Sequence, residues 1–298
     1  MKRIEHQKFD GERALYGERE LHLMHCAFDG PADGESALKE CTGIRAEDCY
    51  CNLRYPFWHD RDLHISGTEL TPLCRAALWY SERVRIEGSR LHGIKALREC
   101  SDVAMADCDI RSAEFGWSVR GIEMRRCTAE SEYFMMRAED MRFVDVRLRG
   151  KYSFQYVQNA TFEDCELDTK DAFWHAKNVT VRNSVVRGEY LAWYSDSLTL
   201  VNCKIIGTQP FCYCTNLRLI DCEMVDADLC FEKSEVSATL TAPVQSVKNP
   251  LCGTIFAPAV GQVILDDPNA RGQVVLWSEM AARTEASPVF EERKEFCG

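Results

Sequence analysis

A segment of 19 residues repeats along this chain of 298 residues, and it limits the possible folds more than any other feature. Each copy alternates apolar and polar residues and mostly ends in Asp or Asn followed by a small residue, here called the anchor. The evenly spaced anchors are Cys108, Cys127, Val146, Cys165, Ser184, Cys203 and Cys222. Small insertions separate the earlier anchors Cys26, Cys49, Thr68 and Ser89, and a weaker match follows at Thr241. Because self-similarity at a fixed period is typical of solenoids, we expect stacked coils.

The alternation within each copy has a period of two, which predicts a strand with one face directed inward. A leucine-rich consensus is missing, and helical repeats need about 33 residues or more with a 3.6-residue period. Stacking then pairs each strand with its copy one coil later. The sequence therefore predicts an all-β fold, a single-stranded parallel β-helix (solenoid) of about twelve coils. Right-handed winding is favoured because the hexapeptide sub-period of left-handed coils is missing.

We predict one elongated domain with capped ends, since an open coil would expose unpaired backbone. Residues 1–20 precede the first clear anchor and are predicted to form an N-terminal cap. The regular coils span 21–241. Four prolines interrupt 242–277, which we interpret as irregular final coils with a C-terminal cap. Residues 278–298 are rich in Glu and are predicted to be an acidic tail.

The chain contains 16 cysteines, an unusual number for an intracellular domain. Seven of them occupy anchor positions, where they interchange with Thr, Ser and Val. A buried free cysteine behaves as a small hydrophobic residue, so we expect an inward column selected by packing. Neighbouring sulfurs in such a column lie about 5 Å apart, a distance that is also compatible with disulfides.

The net charge of −11, from 36 Lys and Arg against 47 Asp and Glu, argues against a nucleic-acid partner. The first residues include no apolar segment of the kind found in secretory signals. A run of about 18 apolar residues, as a membrane span needs, is also missing. These observations predict a cytoplasmic protein without a membrane partner.

A second pair of columns aligns on the same repeat, about nine and ten residues after each anchor. The first of them is dominated by Trp and is here called the aromatic column. The next residue mixes Glu, His, Tyr and Arg and forms the polar column. Because successive strand residues point to opposite faces, only one column is expected to face solvent in a given coil.

The two orientations predict different chemistry. An outward aromatic column would offer flat platforms for sugar rings, whereas an outward polar column would line a groove; either column could instead be core filling or a solvated face. The predicted ligand-binding residues are Lys39, Trp58, Trp79, Tyr80, Tyr156, Trp174, Trp193, Tyr194 and Tyr213. Candidate acid–base or charge-neutralising catalytic residues are Glu40, His59, Glu99, Arg137 and His175.

We predict neither a metal nor a cofactor. Cys212 and Cys214 form a Cys-x-Cys pair, but the paired spacings of zinc sites are missing. A glycine-rich phosphate-binding loop is missing as well.

The repeat resembles the right-handed β-helices of pectate lyases and polygalacturonases in architecture, without the catalytic signatures of polygalacturonases. A closer resemblance covers nearly the whole chain and is to the bacterial family called domain of unknown function 3737. It rests on Gly11–Leu15, Gly34–Glu40, Tyr55–Trp58, Ala77–Tyr80, Lys170–Trp174, Gly188–Trp193, Asn249–Pro250 and Gly253–Ile255. This resemblance implies the fold and its boundaries, but it transfers no catalytic role.

Three functional hypotheses follow. The first is recognition of an oligosaccharide or another elongated ligand through the aromatic and polar columns. The second is a carbohydrate-active lyase or hydrolase, and the third is a non-catalytic scaffold that self-associates into a homo-oligomer.

Overall fold

The computed structural model of the chain describes residues 1–31 and 34–278. By their internal contacts these residues divide into two compact units, Met1–Gln158 and the part that begins at Asn159. All named secondary-structure elements are β-strands, and within each unit they stack as the coils of a parallel β-solenoid. Each unit is described by itself below.

In the first unit, every coil contributes one longer strand and one shorter strand. The longer strands are β1 (Lys2–Glu5), β3 (Arg19–Met24), β5 (Thr42–Glu47), β8 (Arg61–Ser66), β11 (Glu82–Glu87), β14 (Ser101–Ala106), β17 (Arg120–Arg125) and β20 (Glu139–Val144). The shorter strands are β2 (Lys8–Phe9), β4 (Ala27–Phe28), β6 (Tyr50–Cys51), β9 (Glu69–Leu70), β12 (Arg90–Leu91), β15 (Asp109–Arg111), β18 (Thr128–Ser131) and β21 (Arg147–Gly150). Five coils also contain a third, two-residue strand, and these strands form two separate small sheets. They are β7 (Phe57–Trp58), β10 (Leu78–Trp79), β13 (Leu97–Arg98), β16 (Glu114–Phe115) and β19 (Tyr133–Phe134).

The second unit repeats the pattern. Its longer strands are β22, which starts at the boundary (Gln158–Glu163), β24 (Lys177–Arg182), β26 (Asp196–Val201), β28 (Leu217–Val225), β29 (Glu235–Leu240), β31 (Cys252–Ala257) and β33 (Gln273–Leu276). The shorter strands are β23 (Glu166–Thr169), β25 (Val185–Arg187) and β27 (Lys204–Ile206), followed by β30 (Val244–Lys248) and β32 (Val260–Ile264).

Neighbouring coils pair in parallel and in register, as the repeat predicts. In the first unit Ile122 of β17 lies beside Met141 of β20, and in the second Val179 of β24 lies beside Leu198 of β26. All four of these side chains are buried. The alternation therefore places one apolar column on the next and forms a continuous core in each unit. The parallel β-solenoid with a spacing of about 19 residues is confirmed, whereas right-handed winding stays a prediction.

The corner before each anchor needs a left-handed backbone. The residue before the anchor has a positive φ at Asp107, Asn183 and Asn202, among others. Asp and Asn tolerate this conformation better than most other non-glycine residues because their short polar side chains bond to nearby backbone. The recurring Asp or Asn of the sequence repeat is thus a corner residue.

The described residues form about fourteen turns, slightly more than the twelve predicted. The regular pairing extends into both terminal segments. Strand β1 pairs in register with β3, and β2 pairs with β4, so the first coil begins at Lys2. Strands β31 and β33 likewise continue the stack within 242–277. Of the predicted acidic tail, residues 279–298 lie outside the described residues.

Candidate functional site

In most coils both columns that follow the anchor are accessible, which corrects the expectation that only one of them would face solvent. Residues of the polar column adopt a left-handed backbone, with φ of 61° at His59 and 59° at Tyr80 in the first unit. This conformation interrupts the strand alternation, so Trp58 and His59 are both accessible while Phe57 and Asp60 on either side are buried. Most coils therefore display two adjacent side chains at this corner, whereas Cys212 and Phe231 of the aromatic column are buried.

The aromatic column of the first unit is a stack of rings and cations. Trp58 and Trp79 are parallel, with ring centroids 5.6 Å apart. The Lys39 ammonium lies 5.0 Å from the Trp58 centroid. The Arg98 guanidinium lies between Trp79 and Trp117, at 5.2 and 5.0 Å. The faces of Trp58 and Trp79 are therefore in contact with protein groups, and both side chains are only partly exposed. The prediction that the Trp rings offer free flat platforms is wrong for these two.

The polar column runs beside this stack. His59 and Tyr80 stack with centroids 4.8 Å apart, between Glu40 in the preceding coil and Glu99 in the following coil. The Tyr16 hydroxyl donates a hydrogen bond to Glu40, and this bond raises the pKa of Tyr16 above its usual value. Arg98 donates to Glu99 over 3.3 Å. Two carboxylates thus bracket an imidazole and a phenol along one face.

A shallow concavity of about 260 Å³ lies beside this polar column. Its lining residues are Glu40, Thr42, His59, Arg61, Tyr80 and Glu82. Its two walls come from residues on either side of the buried corner positions Cys41, Asp60 and Ser81. The pattern of the sequence did not single out Arg61 and Glu82, because they open the following strands as ordinary solvated positions.

Asp60 is a carboxyl group in the interior behind this surface. It is fully buried, and its Oδ1 accepts a hydrogen bond from the Cys41 N–H over 2.8 Å. Its Oδ2 has no hydrogen-bond partner among the described residues. Burial raises the pKa of Asp60 well above its usual value, so the neutral acid is the favoured form. The repeat pattern did not single out Asp60, although it is an acidic residue at a position that is Cys41 and Ser81 in the adjacent coils.

In each unit the aromatic column and the polar column run side by side, and together they are called a stripe here. The stripe of the second unit is built like that of the first. Trp174 and Trp193 stack with centroids 5.5 Å apart, and their indole N–H groups donate to the carbonyls of Tyr190 and Gln209. In the polar column, Tyr194 stacks on His175 and on Tyr213, at 5.0 and 4.8 Å.

The stripe of the second unit borders an ion pair. Burial, followed by the charge of Glu232, raises the pKa of Tyr213 above its usual value. Glu232 itself pairs with Lys248 over 3.1 Å.

The remaining candidates are Arg137 and Tyr156, which occupy the polar column of the first unit and are exposed. The nearest aligned residue between Glu99 and Arg137 is Ser118, so the carboxylate and the guanidinium are two coils apart. The structure therefore brings Glu40, His59 and Glu99 into one line around Tyr80, and places Arg137 farther along it. In the second unit, His175 belongs to the other stripe.

Within the described residues, no three His, Cys, Asp or Glu side chains are grouped as a metal site would need. The same part of the chain contains no helix long and apolar enough to span a membrane.

Comparison with solved structures gives several β-helix proteins of low similarity. The chain is similar to the A-module of mannuronan C-5 epimerase AlgE4 of Azotobacter vinelandii, with 8% identity, a TM-score of 0.37 and coverage of 92% of this chain and 87% of the other. It is also similar to the catalytic domain of a GH87 α-1,3-glucanase, solved with tetrasaccharides, with 8% identity, a TM-score of 0.35 and coverage of 93% and 64%.

A third solved structure is the tailspike protein of the E. coli bacteriophage HK620, solved with a hexasaccharide. It has 11% identity, a TM-score of 0.30 and coverage of 89% of this chain and 60% of the other. A search of curated proteins gives no significant match.

The resemblance that the sequence indicated is matched by a family model over residues 2–275. This range includes every coil described above and both stripes. The chain belongs to the family described as "Protein of unknown function (DUF3737)".

Proposed function

We propose that the outward stripes bind an extended oligosaccharide. The observation that carries this proposal is the left-handed corner, which places an aromatic residue and a hydrogen-bonding residue side by side on one face in successive coils. Coils repeat at about 4.8 Å, so chemically similar groups recur at a regular interval along the face. A chain of sugar rings also offers apolar ring hydrogens and hydroxyl groups at regular intervals.

The contacts within each stripe make it rigid before a ligand arrives. Ring stacking fixes His59 against Tyr80 and Tyr194 against Tyr213. Because these side chains have little rotamer freedom left to lose, ligand binding costs little side-chain entropy. Tyr80 and Tyr194 remain 39% and 45% exposed, so part of each phenol is available to a ligand.

Hydrogen bonding is supplied by the polar column. The carboxylates of Glu40 and Glu99 accept from sugar hydroxyls, and the Tyr80 phenol both donates and accepts. In this arrangement the Trp rings act as supports whose edges contact the ligand. The lyase or hydrolase and the self-associating scaffold stay alternative hypotheses.

The test is calorimetric titration with soluble neutral, N-acetylated and uronate-containing oligosaccharides, followed by substitution of the stripe. Tyr80→Ala and Tyr194→Ala are expected to weaken binding roughly twofold to tenfold, the range of aromatic contacts. Tyr50→Ala is the matched control, because Tyr50 is also 39% exposed but lies outside both columns. The proposal is wrong if none of the three sugar classes binds, or if Tyr50→Ala weakens binding as much as Tyr80→Ala.

A further inference from the structure

Two pairs of anchors that are 19 residues apart are both cysteines, each pair within one unit. Cys108 and Cys127 occupy successive coils of the first unit, and Cys203 and Cys222 occupy successive coils of the second. All four thiols are buried, with exposures of 3% or less. The proposed function makes no use of these four side chains.

The register holds each pair at one strand spacing. On one side of the Cys108–Cys127 pair Ala106 lies beside Arg125, and on the other side Asp109 lies beside Thr128. Paired strands are about 4.8 Å apart, and disulfides span Cα separations of roughly 4.4 to 6.8 Å. The Cys203–Cys222 pair is held in the same way, since Val201 lies beside Ile220 and Lys204 beside Glu223.

We propose that Cys108–Cys127 and Cys203–Cys222 are oxidation sites at which hydrogen peroxide forms a disulfide between adjacent coils. One thiolate attacks a peroxide oxygen, becomes a sulfenic acid and releases hydroxide, which takes up a proton to form water. The second sulfur then attacks the sulfenic sulfur, the S–S bond forms and a second water leaves. Two thiols and one peroxide thus give one disulfide and two waters.

Each pair contains one thiol that ionises more easily than its partner. The hydrogen bond between the thiols lowers the pKa of Cys127 and raises that of Cys108. In the second pair it lowers the pKa of Cys203 and raises that of Cys222. The thiolate is the form that reacts with peroxide, so the lowered pKa favours Cys127 and Cys203 as the thiols that attack the peroxide.

Three other anchor cysteines serve as internal comparisons. Cys26 and Cys49 also follow one another, but burial raises the pKa of Cys49 to about 11, so this pair is expected to react later. Cys165 is equally buried, and its thiol donates to the carbonyl two residues earlier, that of Glu163. The thiols of Cys108 and Cys127 make the equivalent bond. The aligned neighbours of Cys165 in the sequence are Val146 and Ser184, which are not cysteines, so we expect no link between adjacent anchors there.

The experiment exposes the folded protein to increasing hydrogen peroxide, blocks the remaining thiols in denaturant and maps non-reduced peptides by mass spectrometry. We expect linked peptides for Cys108–Cys127 and Cys203–Cys222 at peroxide doses that leave Cys165 alkylatable. Dithiothreitol should reverse the links. Each link closes a loop of one coil and should raise Tm by about 5 °C.

Cys127→Ser and Cys203→Ser are the matched variants, because serine occupies the same column at Ser89 and Ser184 and preserves the corner. Each variant should lose its own link and its own rise in Tm, while the other pair still forms. Recovery of all four cysteines as alkylated thiols, or oxidation of Cys165 at the same dose without any links, would overturn the proposal.

Discussion

At the corners of the coils, a small set of side chains adds hydrogen bonds to backbone groups. The thiols of Cys100 and Cys108 donate to the carbonyls two residues earlier, those of Arg98 and Ala106, over 3.3 and 3.2 Å. Ser184 donates to the Arg182 carbonyl and also accepts from the Cys165 N–H. Packing alone predicted a small residue here, whereas the interchange of Cys, Ser and Thr reflects a shared ability to donate.

This donor role can be tested at Cys100, which lies outside the thiol pairs. Cys100→Val has a similar volume but removes the donor, so the Arg98 and Leu78 carbonyls lose a partner. We expect a loss of about 1–2 kcal/mol in the free energy of unfolding by urea denaturation. Cys100→Ser replaces the thiol donor by a hydroxyl donor, as Ser81 has in the preceding coil, and should lower the free energy of unfolding by less. Equal losses in the two variants would mean that volume alone selects this residue.

Asp60 gives a prediction with a definite pH dependence. Its pKa is raised in the folded protein, so the unfolded chain releases this proton at lower pH than the folded one does. Between the unfolded value near 3.8 and the raised folded value, rising pH therefore favours unfolding. Asp60→Ser removes this destabilisation and should raise the free energy of unfolding at pH 7 by about 1–3 kcal/mol.

The direction of this pH dependence is tested by repeating the denaturation at lower pH. Below the unfolded pKa both states are protonated, so the gain from Asp60→Ser should shrink as the pH falls towards 4. Ser81→Ala is a useful control at the next position of the column, because it removes the hydrogen bonds of the Ser81 hydroxyl with the Phe57 carbonyl and the Asp60 N–H without changing a titrating group. A gain from Asp60→Ser that is the same at pH 4 and pH 7 would contradict the argument.

At the scale of the coil, a two-residue alternation predicts the inward columns but not the corner. The strand pattern indicated that Val103 and Met105 of β14 face inward, and both are buried. The same pattern implied that Trp79 and Tyr80 point to opposite faces, whereas both are accessible. The reason is a φ of 59° at Tyr80, a conformation that non-glycine residues rarely adopt. The mixed residue types of the polar column do not predict it.

The stacked aromatic column should contribute to stability more than to specificity. Trp79→Ala removes the contacts with Trp58 and Arg98, and should lower the free energy of unfolding by about 3 kcal/mol. Tyr80→Ala, one residue along, should cost less than about 1 kcal/mol because Tyr80 is more exposed. Thermal unfolding of the two variants measures the difference. If Tyr80→Ala is the more destabilising of the two, Trp79 does not have the stabilising role proposed for it.

For the molecule as a whole, the repeat period was sufficient to predict the solenoid, and it was less informative at the ends. The repeat is harder to recognise in Lys2–Glu5 because Lys2 stands at an inward position that is Leu21 and Ile44 in the next two coils. A lysine on an exposed strand edge protects it from pairing with other chains. The backbone still follows the repeat, as the pairing of Ile4 with Leu23 shows.

A solenoid derives its stability from contacts between adjacent repeats, so the same substitution should cost different amounts at an end and inside. Ile4 and Ile65 occupy the same inward column, but Ile65 is fully buried between two coils and Ile4 has a neighbouring strand on one side only. Ile65→Ala should lower the free energy of unfolding by about 3 kcal/mol, and Ile4→Ala by less than about 1 kcal/mol. Hydrogen exchange should show faster amide exchange in β1 and β3 for Ile4→Ala, with exchange in β14 and β17 unchanged. Equal losses of stability, or faster exchange in β14 and β17 after Ile4→Ala, would show that the first coil and the inner coils unfold as one cooperative unit.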